Sequence, residues 1–376
     1  MKKKQHIIST ILFLIIIFVF PVTLLVSKKT EFSDIENRKL QKAPSFSFDS
    51  WFSKSFMTNT ESYIADHFPG RTGWVKTKIK TQLMLGKTEL NGIYITDKRL
   101  IEHIEEPDYT NADISVAAIN DFAEKTGVPA YVVIAPTSGG IYADTLGKNA
   151  PQYSQKEIIN HIYAQAGQKV SVIDIYDLLY ATRDDYIYYR TDHHWTSLGA
   201  YYAYNYVIQK LGFTPIAYSK YNIEHASSDF LGTYYSKTLY TDIQADTIDI
   251  YTYNDGKSVT SCTVSTGNQE KTYDDIYFRE NLQKKDKYTT YLGPNVPVIN
   301  IRTNLESDKK ILIFKDSYAN SFVPFLTQHY SQITVADMRY IQNYRDYFDP
   351  SDFSQILFLY NATTFCDDDN IKKLTY

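Results

Sequence analysis

From Asn111 onward, short apolar runs alternate with amphipathic segments of helical length, and this alternation constrains the fold more than any other feature. The apolar runs predict buried strands at Ala130–Ala135, Val170–Ile175, Lys310–Phe314, Gln332–Ala336 and Gln355–Tyr360. The segments with helical periodicity are Asp113–Thr126, Gln155–Gly167, Ser197–Leu211 and Ser317–Gln328. Such alternation is typical of a mostly parallel sheet flanked by helices. The sequence therefore predicts an α/β fold.

One long segment, residues 227–303, interrupts this alternation. It contains the alternating run Thr247–Tyr253 and turn sequences at Asn254–Gly256 and Gly293–Asn295. Alternation with a period of two is typical of strands, and Gly, Pro and Asn favour turns. We predict a β-rich insertion here.

The first 29 residues are distinct from the rest of the chain. Lys2–Lys4 precede an apolar run from Ile7 to Val26, and Lys28 and Lys29 follow it. About 20 helical residues span about 30 Å, the thickness of a bilayer core. The lysines favour a cytoplasmic N-terminus. No convincing cleavage site follows, so a single-pass signal anchor is favoured over a cleaved signal peptide, and either one places the remainder outside the cell.

Between this anchor and the alternating region, the sequence predicts a linker and a broken helix. Residues 30–55 are polar and contain Pro44, which is typical of a linker. Phe56–Gly86 has a helical pattern broken by a Pro-Gly turn within Asp66–Arg71. We predict one large extracellular domain, residues 56–376.

The charge balance argues against nucleic acid or anionic phosphates as the main partner. Without the five lysines around the apolar run, 34 basic residues face 43 acidic ones. The 34 tyrosines suit sugar-binding surfaces, although an AT-biased genome is a simpler explanation of their number. Cys262 and Cys366 lack metal-ligand spacing, and outside the cell they allow one disulfide.

The segment Thr191–Thr196 places Asp192, His193 and His194 side by side. In an extended segment, Asp192 and His194 share one face and His193 takes the other. A carboxylate that holds one ring nitrogen lets the other nitrogen act as a base. Adjacent histidines rarely converge on one ion, and no second ligand cluster has helical spacing. We therefore predict a general base, with no metal and no cofactor.

The best candidate nucleophile for this base is Ser317, where a strand turns directly into a helix. This context places the hydroxyl at the carboxyl end of a parallel sheet, beside free N–H groups that can stabilise an oxyanion. A serine at a helix start can instead be only a cap. The presence of Asp192 and His194 favours the nucleophile. Ser138, in a loop after a predicted strand, is an alternative nucleophile of lower rank.

The motif Asp192-His193-His194-Trp195 resembles the signature of the DHHW family of exported bacterial proteins. That family is similar to the alginate O-acetyltransferase branch of the SGNH hydrolase superfamily. Further short blocks that resemble the family are Glu36–Arg38, Asp66–Arg71, Asn91–Tyr94, Phe230–Lys237, Asp316–Ser317 and Asp337–Tyr340.

The resemblance implies an SGNH-hydrolase-like three-layer sandwich that acts on O-acetyl groups of a polysaccharide. It assigns a catalytic triad of Ser317, His194 and Asp192. For the oxyanion hole and substrate binding, the candidates are Gly293, Asn295 and Tyr318. The founding members of the superfamily have Gly-Asp-Ser where this chain has Lys315-Asp316-Ser317.

We therefore predict an O-acetyltransferase or acetylesterase of a cell-surface or secreted polysaccharide, held at the cell membrane with its catalytic domain outside. Acetyl-CoA is absent outside the cell, so the resemblance implies a membrane-bound O-acyltransferase partner that passes acetyl groups outward. The alternative prediction is a non-catalytic component that binds polysaccharide or helps to assemble an export system.

Overall fold

A computed structural model describes residues 2–256, 258–267 and 269–375. The chain forms two compact units. The first comprises Met1–Leu90 with Ser236–Thr241, and the second comprises Asn91–Tyr235 with Asp242–Tyr376. The boundary between the units therefore lies near residue 90. The single extracellular domain of residues 56–376 stays a prediction.

The first unit is mainly helical. Its helices are α1 (Lys2–Leu14), α2 (Phe20–Val26), α3 (Phe48–Phe52), α4 (Ser55–Asp66) and α5 (Arg71–Met84), and its short strands are β1 (Phe32–Ser33), β2 (Arg38–Lys39) and β3 (Glu89–Leu90). A π-helical turn, Ile15–Val19, joins α1 to α2. The resulting stretch Lys4–Val26 is long and apolar enough to cross a membrane, a property that a signal sequence shares.

Two short sequence blocks in this unit pair with each other. The Arg38 guanidinium donates to both carboxylate oxygens of Asp66, at 3.0 and 2.5 Å, and Arg71 forms an ion pair with Glu36. The hydrogen bond from Arg38 lowers the pKa of Asp66. These pairs connect the predicted linker to the helix break at Asp66–Arg71. The predicted linker also contains α3, which begins with a capping box between Ser47 and Ser50.

From residue 91 onward, helices and strands alternate. The helices are α6 (Thr110–Thr126), α7 (Ser138–Ile141), α8 (Gln155–Ala164), α9 (Tyr176–Ala181), α10 (Ser197–Lys210), α11 (Thr233–Thr238), α12 (Ala319–Leu326) and α13 (Ala362–Asp367). The strands are β4 (Ile93–Ile95), β5 (Leu100–Glu102), β6 (Ala130–Ala135), β7 (Val170–Val172), β8 (Tyr221–Phe230), β9 (Asp246–Tyr253), β10 (Val259–Ser265), β11 (Glu270–Tyr273), β12 (Val298–Thr303), β13 (Lys310–Lys315), β14 (Gln332–Ala336) and β15 (Gln355–Asn361).

The main sheet of the second unit has eight strands in the order β11-β10-β12-β14-β13-β15-β6-β7. The strands from β14 to β7 pair in parallel, as the alternation predicted. The β-rich segment adds three strands in antiparallel fashion beside β14 and also forms the separate pair β8–β9. The predicted insertion thus extends the sheet.

Alternate side chains of the central strands belong to two hydrophobic clusters, one on each face of the sheet. On β13, Ile313 belongs to the cluster that contains residues of α10 and α12, whereas Phe314 belongs to the cluster that contains residues of α6, α8 and α13. Helices therefore cover both faces, which makes three layers. Cys262 and Cys366 lie in different clusters and are both free, so the disulfide that the sequence allowed is not formed.

We expect both cysteines to resist alkylation in the folded protein. Burial raises the pKa of each thiol to about 12, and the thiolate is the reactive form. Mass spectrometry after treatment with iodoacetamide at pH 8 should find no adduct on the native chain. It should find two adducts after unfolding without reductant. No adduct in the unfolded chain would show that a disulfide between the two cysteines had formed.

Candidate active site

Ser317 lies in a sharp turn between β13 and α12, at the carboxyl end of the parallel sheet. Asp316 holds this turn: Oδ1 accepts the N–H of Tyr318 at 2.8 Å, and Oδ2 accepts the backbone and side-chain N–H groups of Asn361 at 2.7 and 2.6 Å. Burial raises the pKa of Asp316. Helix α12 begins at Ala319 with Tyr318 at the N-cap position. Ser317 is therefore not the cap of this helix, and its hydroxyl is available for another role.

A buried ion pair supports the same turn. The Lys315 ammonium donates to Oδ1 of Asn320 at 2.8 Å and lies 3.7 Å from Oδ2 of Asp337. Asp337 in turn accepts two hydrogen bonds from the guanidinium of Arg339, at 2.8 and 2.6 Å. Burial lowers the pKa of Lys315, and Asp337 opposes that shift. Lys315, two positions before Ser317, is thus buried and paired with Asp337.

The three predicted triad residues form a continuous hydrogen-bonded chain. Nδ1 of His194 lies 2.6 Å from Oδ1 of Asp192, and Nε2 of His194 lies 2.7 Å from Oγ of Ser317. Asp192 and His194 are buried, whereas Ser317 is partly exposed. The imidazole can therefore accept the proton of a hydroxyl that solvent or substrate can reach.

The segment that carries the histidines is bent. The backbone N–H of Tyr189 donates to the carbonyl of His194 at 3.2 Å, and the indole N–H of the fully buried Trp195 donates to the carbonyl of Tyr318 at 3.0 Å. The prediction that His193 takes the face opposite to Asp192 and His194 is wrong. Its ring centroid lies 3.8 Å from that of His194, because the bend brings the two rings together.

The second oxygen of Asp192 is held by the segment that follows β8. Oδ2 accepts the N–H of Thr233 at 2.7 Å. A Cβ atom at Gly232 would lie 2.3 Å from this oxygen, so only glycine permits the approach. Burial opposes ionisation of Asp192, but His193, His194 and the Thr233 amide outweigh it and keep its pKa well below the usual range. Sequence reasoning missed Gly232 and Thr233 as site residues, although both lie in the Phe230–Lys237 block.

Asp246 supports the site from one layer further out. This fully buried carboxylate accepts the N–H groups of Arg190 and Thr191 at 2.8 Å, and the hydroxyl groups of Thr191 and Tyr186 at 2.6 and 2.5 Å. It therefore fixes the backbone immediately before Asp192. An isolated aspartate inside a β-rich segment offers no sequence signal for this role.

Tyr288, in a 3-10 turn of the β-rich segment, covers the catalytic ring. It stacks on His194 with a centroid distance of 3.6 Å and an interplanar angle of 8°, and its hydroxyl donates to the carbonyl of Ser317 at 2.9 Å. One side chain thus contacts both the base and the nucleophile residue. Sequence reasoning missed it among 34 tyrosines.

The three residues predicted for the oxyanion hole and substrate binding differ in their surroundings. Tyr318 is fully buried, and its hydroxyl donates to the carbonyl of His193, which makes it part of the scaffold. Gly293 is buried with a φ of 75°, and Asn295 is exposed. Within the described residues, no hydrogen bond joins Gly293 or Asn295 to the triad. Their assignment stays a prediction.

Two alternatives from the sequence can be compared with this geometry. Ser138 is fully buried at the start of α7, and in the described part of the chain its hydroxyl has no hydrogen-bond partner that could activate it. The ligand atoms of Asp192, His193 and His194 lie within 4.8 Å of one another, a spacing that could accommodate a metal ion. However, His194 already uses both ring nitrogens within the triad.

The depressed pKa of Asp192 predicts a specific pH dependence of stability. Its folded-state pKa lies below the unfolded value of about 3.9, so its contribution is present above that pH and is lost as the pH falls towards the folded-state pKa. Urea unfolding of the wild type and of Asp192→Asn should be compared from pH 6 to pH 2.5. The difference in unfolding free energy between the two proteins should be constant above about pH 5. Below about pH 4, the wild type should lose stability relative to Asp192→Asn by up to about 1.4 kcal/mol per pH unit. A constant difference throughout would contradict the assignment.

Comparison with known proteins agrees with this architecture. The family profile described as DHHW protein matches residues 108–336. The crystal structure of a DHHW family protein from Eubacterium siraeum is similar, with a TM-score of 0.67 and 26% identity over 76% of this chain and 96% of that chain. Bacillus cereus PatB1 with a sulfonyl adduct has a similar fold, with a TM-score of 0.65 and 24% identity over 75% of this chain and 97% of that chain. No curated protein matches the chain. Because the family profile covers more than half of its residues, the chain belongs to the DHHW family.

Proposed function

We propose that this protein is an O-acetyltransferase of the SGNH type that acts on a polysaccharide outside the cytoplasm. The observation that carries the proposal is the continuous chain of hydrogen bonds from Asp192 through His194 to Ser317, with distances of 2.6 and 2.7 Å. The family membership and the resemblance to alginate O-acetyltransferases support the choice of an acetyl group and of a sugar hydroxyl.

In the first half-reaction, Oγ of Ser317 attacks the carbonyl carbon of an acetyl ester while Nε2 of His194 takes the hydroxyl proton. Asp192 holds Nδ1 of the ring and stabilises the imidazolium that forms. Backbone N–H groups near Ser317, with Gly293 and Asn295 as further candidates, stabilise the oxyanion. The proton then passes from Nε2 to the leaving alcohol, which leaves an acetyl-serine.

In the second half-reaction, a sugar hydroxyl gives its proton to His194 and attacks the carbonyl carbon of the acetyl-serine. The ester bond to Oγ then breaks, and His194 returns the proton to Oγ of Ser317. Attack by water instead would make the protein an acetylesterase. The acetyl donor must be available outside the cell, and a membrane-bound O-acyltransferase that passes acetyl groups outward meets this need. The stacking of Tyr288 on His194 limits the ring to one orientation, which suits both proton transfers.

A non-catalytic polysaccharide-binding component is the other candidate function. The geometry favours the enzyme, because a binding module does not require a buried carboxylate and imidazole aligned on a partly exposed serine. Labelling of Ser317 and turnover of an acetyl ester separate the two candidate functions.

A sulfonyl fluoride should label Ser317, and the chain should turn over p-nitrophenyl acetate. Ser317→Ala should lose the label and lower kcat/KM by about 10⁴-fold or more, because it removes the nucleophile. Peptide mass mapping and the release of p-nitrophenol measure the two effects. The matched control is Ser138→Ala, which should keep both.

A label that maps to Ser138 would reassign the nucleophile. No label and no turnover from folded wild type would favour the binding component. With oligosaccharide acceptors, a mass gain of one acetyl group on the sugar indicates transfer, whereas free acetate alone indicates hydrolysis.

We expect the two adjacent histidines to differ in their effect on catalysis. His194→Ala removes the base and should abolish turnover, whereas His193→Ala should reduce it much less, because His193 has no hydrogen bond to Ser317 in the described structure. Desolvation, followed by the neighbouring His194, lowers the pKa of His193 to about 4, so its ring is neutral at pH 7. Stopped-flow acylation kinetics with circular dichroism as a folding control would test this. Equal losses in the two variants would refute the assignment of a single base.

A further inference from the structure

Helices α3, α4 and α5 of the first unit bury almost none of their side chains. Among the described residues from 44 to 86, only Ile79 is buried. Short helices in proteins owe most of their stability to an apolar face that packs against something. In the described part of the chain, these helices therefore bury little of such a face.

We define an aromatic cluster as Phe46, Phe48, Trp51, Phe52 and Phe56. Its side chains are exposed except that of Phe56, which is half-buried. The ring of Phe46 contacts those of Phe48, Trp51 and Phe56, with centroid distances of 5.8, 6.0 and 5.4 Å. Phe48 and Phe52 are 74% and 80% exposed, and Trp51 is 49% exposed. Exposed apolar patches of this kind mark interaction surfaces.

This region is less acidic than the rest of the chain. Without the five lysines around the apolar run, residues 30–90 contain 9 basic and 7 acidic residues, whereas from residue 91 onward there are 25 basic and 36 acidic ones. Helix α5 carries Arg71, Lys76, Lys78 and Lys80 and contains no acidic residue. A basic helix and exposed aromatic rings in the same unit are typical of a segment that lies on an anionic bilayer surface.

The apolar helix of the same unit supplies an independent observation. The ring of Phe20 stacks on that of Phe68, which lies between α4 and α5, with a centroid distance of 4.9 Å. Phe20 precedes the end of the apolar helix at Val26 by about 9 Å of helix length. Interfacial helices place their apolar face about 5–10 Å into the boundary between headgroups and acyl chains. The contact therefore places this part of the unit at the depth of that boundary when the apolar helix is inserted.

We propose that α3, α4 and α5 lie on a lipid bilayer. The aromatic cluster enters the boundary between headgroups and acyl chains, and the lysines of α5 face anionic headgroups. Phe and Trp rings are suited to that boundary. An acidic polymer would match the lysines but not the exposed rings, and it would not explain the contact with the apolar helix.

The test uses the full chain in vesicles that contain anionic phospholipids with brominated acyl chains. Trp51 is the reporter in a Trp74→Phe background, and Trp51→Phe in the same background gives the remaining emission of the buried Trp195. We expect bromines near the headgroup end of the chains to quench Trp51 most strongly. The matched control is Ile114→Trp with Trp51→Phe and Trp74→Phe. Ile114 is 45% exposed on α6 in the acidic second unit, and this reporter should stay unquenched.

A charge variant separates the two parts of the proposal. Lys76→Gln, Lys78→Gln and Lys80→Gln together should weaken Trp51 quenching in vesicles with anionic lipid and leave it unchanged in neutral vesicles. Leu14→Trp, in the Trp51→Phe and Trp74→Phe background, reports whether the apolar helix has inserted into the bilayer. Quenching of the tryptophan at position 14 without quenching of Trp51 overturns the proposal. Lipid-independent shielding of Trp51 that rises with protein concentration also overturns it, because a second copy of the chain then covers the cluster.

Discussion

The geometry of the candidate active site depends on one hydrogen bond, 2.7 Å long, between two residues that are 123 positions apart, His194 and Ser317. A buried carboxylate holds each end. Asp192 holds the ring, and Asp316 holds the turn that carries the serine. Isolated buried carboxylates are very costly unless N–H groups surround them. Only an arrangement that satisfies both acids at once avoids that cost, and this arrangement also aligns the base with the nucleophile.

The two carboxylates differ in a way that suits their positions. Asp192 faces a histidine ring and has a depressed pKa, so it remains an anion that can stabilise an imidazolium. Asp316 is satisfied mainly by the amide groups of Tyr318 and Asn361, and burial raises its pKa. The parallel pairing of β13 with β15 brings Asn361 to Asp316, so the sheet register itself positions the serine turn. The β-rich segment contributes Tyr288, which stacks on one face of the His194 ring.

Much of the architecture could be predicted because burial leaves a periodic signal. The strand predictions at Gln332–Ala336 and Ala130–Ala135 match the structure residue for residue, and the central strands pair in parallel as predicted. The start of α12 could not be predicted. The sequence pattern allowed a helix from Ser317, but the Asp316 carboxylate holds a turn there and the helix begins at Ala319. The orientation of His193 was also wrong, since a bend depends on distant partners of the backbone and not on side-chain alternation.

The sequence by itself determined the residue types of the triad, the apolar N-terminal helix, the charge contrast and the α/β alternation, because each is a local property of composition or period. Tertiary structure alone decided the distance between the serine and the histidine, why residue 232 must be glycine, and which of many tyrosines covers the catalytic ring. These features arise from contacts between segments that are far apart in the chain. Their physical basis is the need to satisfy buried polar groups and fill space, and a linear pattern does not encode which partner does so.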